Sequence, residues 1–120
     1  NELNAEILTE LLKIKGAECT ICENGEKVVK TFEQSVPGTY DMILMDVQMP
    51  VMNGYDAARA IRRSLHKQAG TIPIIAMTAN AFSEDIRHSL TAGMNAHIAK
   101  PVDMKLLITM IPERWHNFLA

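Results

Sequence analysis

Asp46, Thr78 and Lys100 are the residues of this chain whose types and placing suit a single chemistry. Each stands at the close of a short apolar run: Asp46 ends "MILMD", Thr78 ends "IPIIAMT" and Lys100 follows "AHIA". An aspartate carboxylate can attack phosphorus and form an acyl phosphate. A lysine ammonium is a point charge suited to one phosphoryl oxygen, and a threonine hydroxyl can donate to another. The set reads as a phosphorylation site. Phosphoryl transfer also asks for neutralisation of the charge spread over the equatorial oxygens, normally by magnesium held through one or two carboxylates and water. Taken singly, the three have plainer readings, with Asp46 as a helix or turn cap, Thr78 as a strand residue and Lys100 as a solvated charge. Their joint occurrence at the ends of three runs favours the site.

Such residues work together only if the fold brings the three run ends to one edge. Leu3, Ile7, Leu8, Leu11, Leu12 and Ile14 recur at helical spacing, and Gly16 follows where a helix would stop. "AECTIC" reads as a strand. Val28, Val29 and Phe32 then keep a helical period until "SVPGTY" supplies loop signals. "DMILMD" is a buried strand, "GYDAARAIRRSLHKQAG" a helix with a terminal glycine, and "TIPIIAMTA" a second apolar, β-branched strand. Ser83 can cap a helix over "SEDIRHSLTAG", "AHIAK" is a short further strand, and "DMKLLITMI" begins a last helix that Pro112 ends or kinks. Alternating strands and helices with continuous apolar strands predict an open α/β fold, a parallel sheet with helices on both faces. In that architecture ligands bind outside the carboxyl ends of the strands, which is where Asp46, Thr78 and Lys100 fall.

The 120 residues are about one domain's worth, and residues 1–120 are expected to form a single domain. With 48% hydrophobic residues, 22% charged residues and a formal charge of −2, the chain lacks the basic excess that nucleic acid or an anionic membrane calls for. No apolar run approaches the roughly 20 residues of a membrane span, and no export signal stands at the start, so a cytoplasmic protein is expected. No internal repeat or low-complexity tract is present. Cys19 and Cys22 have the spacing of a metal half-site or a redox pair. On a strand, residues three apart point to opposite faces, so these thiols are expected not to converge and to pack as small hydrophobes.

The matching text "DMILMDVQMPVMNGYDAARAIR", "IPIIAMTANAF" and "AGMNAHIAKP", in that order, resembles the receiver domain of bacterial two-component response regulators over nearly the whole chain. The resemblance implies a flavodoxin-like sheet of order 2-1-3-4-5. It implies Asp46 as phosphoacceptor, Thr78 as the switch hydroxyl that follows the phosphoryl group, and Lys100 as its ion-pair partner. Gln48 would lend a backbone carbonyl to a magnesium ion also bound by Asp46, and His97 takes the place where the family often has a switch aromatic. Pro101 permits a cis bond that would fix the direction of Lys100. "GMNAHIAKP" with "MTANAF" is similar to receivers attached to hybrid sensor histidine kinases, which implies a histidine kinase domain as donor and a histidine phosphotransfer domain as acceptor. By the same resemblance, phosphorylation biases a surface built from the last two helix-strand units toward a partner.

Against the family pattern, the chain lacks the usual first strand and the pair of acids that ends it. Glu2 is the nearby acid, and it reads as a solvated or helix-capping residue without a metal role. The missing strand would lie between the strands at 17–22 and 41–46, leaving two unpaired backbone edges. Three closures are expected as alternatives: direct contact of those strands, a rearranged segment, or a homodimer through the unpaired edges. Loss of the acids should also weaken magnesium binding. A receiver-like protein-binding module that takes no phosphoryl group is therefore the alternative to a phosphoacceptor. A hydrolase with an aspartyl nucleophile is disfavoured because Asp46-Val47-Gln48 lacks a second acid, and a flavin carrier because no phosphate-cradling loop is visible. In "PERWHNFLA", Trp115 and Phe118 could dock a short terminal helix or begin a linker.

Overall fold

A computed structural model of the chain describes residues 2–79, 83–100, 103–112 and 115–120, without the side chains of 2–5, 83–85 and 104. Helices and strands alternate from α1 (Glu2–Ile14) and β1 (Glu18–Thr20) to α2 (Gly25–Gln34) and β2 (Met42–Asp46). They continue through α3 (Gly54–Arg63), β3 (Ile74–Thr78), α4 (Ser83–Thr91), β4 (Ala96–Ala99), α5 (Met104–Met110) and β5 (Asn117–Leu119). All four strand pairings are parallel, and the sheet order is β1-β5-β2-β3-β4. The open α/β class expected from the alternation is the one observed.

The helix ends follow local chemistry. Asn24 and Asn53 accept backbone N–H bonds from Lys27 and Asp56 and so cap α2 and α3, while Asp103 caps α5 by accepting from Lys105 and Leu106. The α3 helix is shorter than the sequence pattern through Gly70 suggests. It stops at Arg63 because the Ser64 backbone N–H and hydroxyl both bond to the Ile61 carbonyl. His66 then stabilises the following turn, its Nδ1 accepting from Gln68 N–H at 3.0 Å and its Nε2 lying 2.9 Å from the Ser35 carbonyl. The proposed Ser83 cap, the Glu2 side chain and the Pro101 bond lie outside the described residues.

Side-chain alternation gives the sheet two cores. Ile43 and Met45 of β2 join Val28, Phe32, Ala57 and Ile61 beneath α2 and α3, whereas Met42 and Leu44 join Leu8, Leu12 and Leu107 beneath α1 and α5. Cys22 packs on the first core and Cys19 on the second, both free and partly buried, so the thiols serve opposite faces as their spacing predicted. Met42 and Met45 are fully buried, and Met49 and Met52 pack against the first core.

The last strand corrects the expectation about the chain's end and, of the three closures expected for the sheet edges, is the rearranged segment. Residues 117–119 form neither a helix nor a linker but β5, which stands between β1 and β2, the position that the family order assigns to a first strand. β5 pairs with β1 from Glu18↔Asn117 to Thr20↔Leu119, and with β2 at Met42↔Phe118 and Ile43↔Leu119. Both edges expected to be unpaired are therefore paired within one chain, and a homodimer is not needed to complete the sheet. Phe118 points into the second core and Leu119 into the first, each about fully buried. Asp41 fixes the strand's start, its Oδ2 accepting from the backbone N–H of His116 at 2.8 Å and of Asn117 at 3.0 Å.

Candidate functional site

Three neighbouring strands deliver the three residues to the carboxyl edge. Asp46 ends β2, Thr78 ends β3 and Lys100 follows β4. The ladder continues just past them, with Val47 N–H donating to the Met77 carbonyl at 3.0 Å and Lys100 N–H to the Thr78 carbonyl at 2.8 Å. Lys100 Nζ lies 2.7 Å from Asp46 Oδ2, and these side chains are only 23% and 17% exposed. Gln48 N–H donates to the other carboxylate oxygen, Oδ1, at 2.9 Å. Thr78 is buried at the end of the strand between them. The arrangement holds an aspartate with one oxygen on a cation and one on a backbone N–H, which fixes its orientation.

The loop after Asp46 is held from both sides. Gly54 N–H donates to the Val47 carbonyl at 3.0 Å, and Gly25 N–H, at the start of α2, to the Met52 carbonyl at 3.2 Å. Gly54 approaches so closely that a Cβ there would stand 2.4 Å from the Asp46 carbonyl oxygen and 2.9 Å from Val47 Cα. Within this loop Val51 has φ of 68°, a conformation that a β-branched residue rarely adopts, and its side chain is exposed.

Of the residues singled out in the sequence, Asp46 and Lys100 meet directly, and Thr78 is tied to Lys100 through the backbone. His97 sits within β4, partly exposed and paired in register with Ala76. Sequence reasoning passed over Asp41, Arg62 and Asn95, whose roles depend on partners 21 to 76 residues away. No periodicity marks such contacts. Asp46 is the carboxylate that this edge could offer to a magnesium ion, and among the described residues no three His, Cys, Asp or Glu side chains gather as a metal cluster. The donor set therefore fits such an ion only in part.

Comparison with known proteins decides the family. The profile of the response regulator receiver domain matches residues 1–112. The chain belongs to this receiver family. The receiver is 36% identical over 113 residues to hybrid signal transduction histidine kinase I of Dictyostelium discoideum, covering 92% of this chain and 6% of that protein. It is 36% identical over 116 residues to the osmosensing histidine protein kinase SLN1 of Saccharomyces cerevisiae, covering 94% and 9%. The receiver thus spans a small fraction of the length of these relatives. Among solved structures it is similar to the receiver domain of sensor histidine kinase PA1611 from Pseudomonas aeruginosa PAO1, which carries magnesium in its active-site cleft. The TM-score is 0.82 at 36% identity, over 96% of this chain and 89% of that one. It is also similar to a chain in the complex of the S. cerevisiae histidine phosphotransfer protein Ypd1 with the receiver domain of Ssk1, with a TM-score of 0.82 at 31% identity over 92% and 80%. β5 lies beyond the residues that the family profile matches. No helix among the described residues is long and apolar enough to cross a membrane.

Proposed function

We propose that residues 1–120 act as a single receiver domain in a cytoplasmic phosphorelay, accepting a phosphoryl group on Asp46. The observation that carries this reading is the 2.7 Å approach of Lys100 Nζ to Asp46 Oδ2 at the end of the sheet where Thr78 also stands. The donor is a phosphohistidine of a histidine kinase domain. An Asp46 carboxylate oxygen attacks phosphorus, the O–P bond forms, and the N–P bond breaks with its electron pair returning to the imidazole. Lys100 balances the charge on a phosphoryl oxygen, and Thr78 donates its hydroxyl to another. The phosphoryl group then passes from the acyl phosphate to a histidine nitrogen of a phosphotransfer domain, the N–P bond forming as the O–P bond breaks and its electron pair returns to the Asp46 carboxylate, and Thr78 and His97 respond as the switch pair. The solved likeness to a chain in a complex of a phosphotransfer protein with a receiver supports this partner class.

Magnesium bound by Asp46, the Gln48 carbonyl and water would supply charge neutralisation on the phosphoryl oxygens. The described residues hold no three-residue cluster of metal-binding side chains, which supports an expectation of weak binding. That same observation favours a second reading, a receiver-like binding module that takes no phosphoryl group. Intact mass after incubation with acetyl phosphate and magnesium separates the two. A gain of about 80 Da for one phosphoryl group, absent in Asp46→Asn, is expected. An unchanged mass in the unsubstituted protein would leave the binding module as the function.

A further inference from the structure

A hydrogen-bonded cluster stands at the base of the sheet, at the end opposite Asp46, and the acceptor chemistry makes no use of it. Arg62, in the last turn of α3, donates from Nε to the Gly93 carbonyl at 2.9 Å, from Nη1 to the Ala69 carbonyl at 3.1 Å and from Nη2 to Asn95 Oδ1 at 2.9 Å. Gly93, with φ of 96°, makes room for this side chain, since a Cβ there would stand 2.8 Å from Arg62 Cγ. Asn95 in turn grips Ile74 twice: its N–H donates to the Ile74 carbonyl at 2.8 Å, and its Oδ1 accepts the Ile74 N–H at 2.9 Å. Arg62 therefore orients the same amide oxygen that engages the first residue of β3. Three planar donors on three acceptors fix the guanidinium, which a lysine could not reproduce.

β4 needs such a pin. It has four residues, it forms the outer edge of the sheet, and it pairs with β3 alone. Only Ile98 of its side chains is buried, and two of the others are alanines, so packing does little to specify its register. The ladder from Ile75↔Ala96 to Thr78↔Ala99 is bounded by the Asn95–Ile74 grip at the base and by the Lys100–Thr78 backbone bond at the top. A slip of one residue would carry Lys100 about 3.3 Å along the strand and turn its side chain to the other face. That displacement exceeds the whole 2.7 Å span of the ion pair with Asp46.

We propose that Arg62 and Asn95 are positioning residues for the acceptor site, pinning the base of β4 against β3 so that Lys100 is held within ion-pair reach of Asp46. The catalytic consequence rests on the reading of Asp46 as phosphoacceptor; the geometric one does not. Two measurements on Arg62→Met, Asn95→Ala, Arg62→Lys and Lys100→Met keep them apart. The first is amide hydrogen exchange. In Arg62→Met and Asn95→Ala the Lys100 amide is expected to exchange at least about tenfold faster while those of Ile43 to Met45 in β2 are unchanged, and Arg62→Lys does not restore protection. Equal acceleration across both strands, or none at Lys100, would overturn the proposal, because general loss of stability loosens the whole sheet together. Should Arg62→Met fail to fold, Asn95→Ala, which leaves the two arginine bonds to carbonyls in place, decides the same question.

The second measurement is a mutant cycle on the initial rate of Asp46 phosphorylation by acetyl phosphate. A residue acting through Lys100 is expected to lower the rate about tenfold in the native background and to have no further effect in Lys100→Met. Multiplicative losses in the double variant would overturn the coupling. If the unsubstituted protein accepts no phosphoryl group, the functional reading fails on its own, and the exchange at Lys100 still decides the pinning.

Discussion

Lys100 reaches Asp46 across the end of an intervening strand. Their strands, β4 and β2, flank β3 and so stand about 10 Å apart, yet Nζ and Oδ2 are 2.7 Å from each other. The long lysine stem bridges the gap over the end of β3, where Thr78 is seated. Lys100→Met is therefore expected to lower the rate of Asp46 phosphorylation at least tenfold. Because the pair is mostly buried, removing the ammonium leaves the Asp46 carboxylate without its cation, and stability is expected to fall by about 1–3 kcal/mol. Intact-mass time courses and a urea titration of the same samples check both halves of this expectation.

Gly54→Ala sets two effects against each other. Alanine is the better helix former by about 1 kcal/mol, but the added Cβ meets the backbone of Asp46 and Val47, which cannot swing aside as a flexible side chain would. The clash is expected to dominate, with a net loss of about 1–3 kcal/mol and a displaced Asp46. A urea midpoint at or above that of the unsubstituted protein would show that the loop yields freely.

Asp41→Ala removes the carboxylate that receives the His116 and Asn117 N–H groups. Losing two charge-assisted bonds at the entry to β5 is expected to cost about 2 kcal/mol. The amides of Phe118 and Leu119 should exchange faster than those of β3. Uniform exchange across the sheet would mean that β5 opens only with global unfolding.

Cys19 makes stability depend on alkaline pH. Burial, with the nearby Cys22 adding to it, pushes its thiol from an ordinary 9.0 up to about 11. The folded state thus holds the proton more tightly than the unfolded state. The stabilisation is complete below about pH 9 and is lost as pH rises from there toward about 11. Between pH 8 and 10 the protein is expected to lose about 1 kcal/mol more than Cys19→Ala, as read from urea midpoints at the two pH values.

Much of the site was legible in the one-dimensional pattern because its parts are local. Apolar runs of four or five residues define β2 and β3, and a polar residue at the end of such a run in a parallel sheet must emerge at the carboxyl edge. The Asn24, Asn53 and Asp103 caps are equally short-range, each closing on an amide two or three residues away. The length of α3 was less legible, since a helical period continues past Ser64 while the Ser64 bonds to Ile61 stop the helix.

By itself the sequence determined the alternation of elements, the two-faced core and the identity of the residues at the edge, since each follows from spacing along the chain. Tertiary structure alone decided what fills the centre of the sheet. Three residues, Asn117 to Leu119, carry too little pattern to declare a strand, and they become one because β1 and β2 offer backbone partners on both sides and two apolar cores for Phe118 and Leu119. The same holds for Asp41 beneath β5 and for Arg62 on Asn95: a hydrogen bond between residues far apart in the chain depends on the packed sheet that brings them together, not on any local preference.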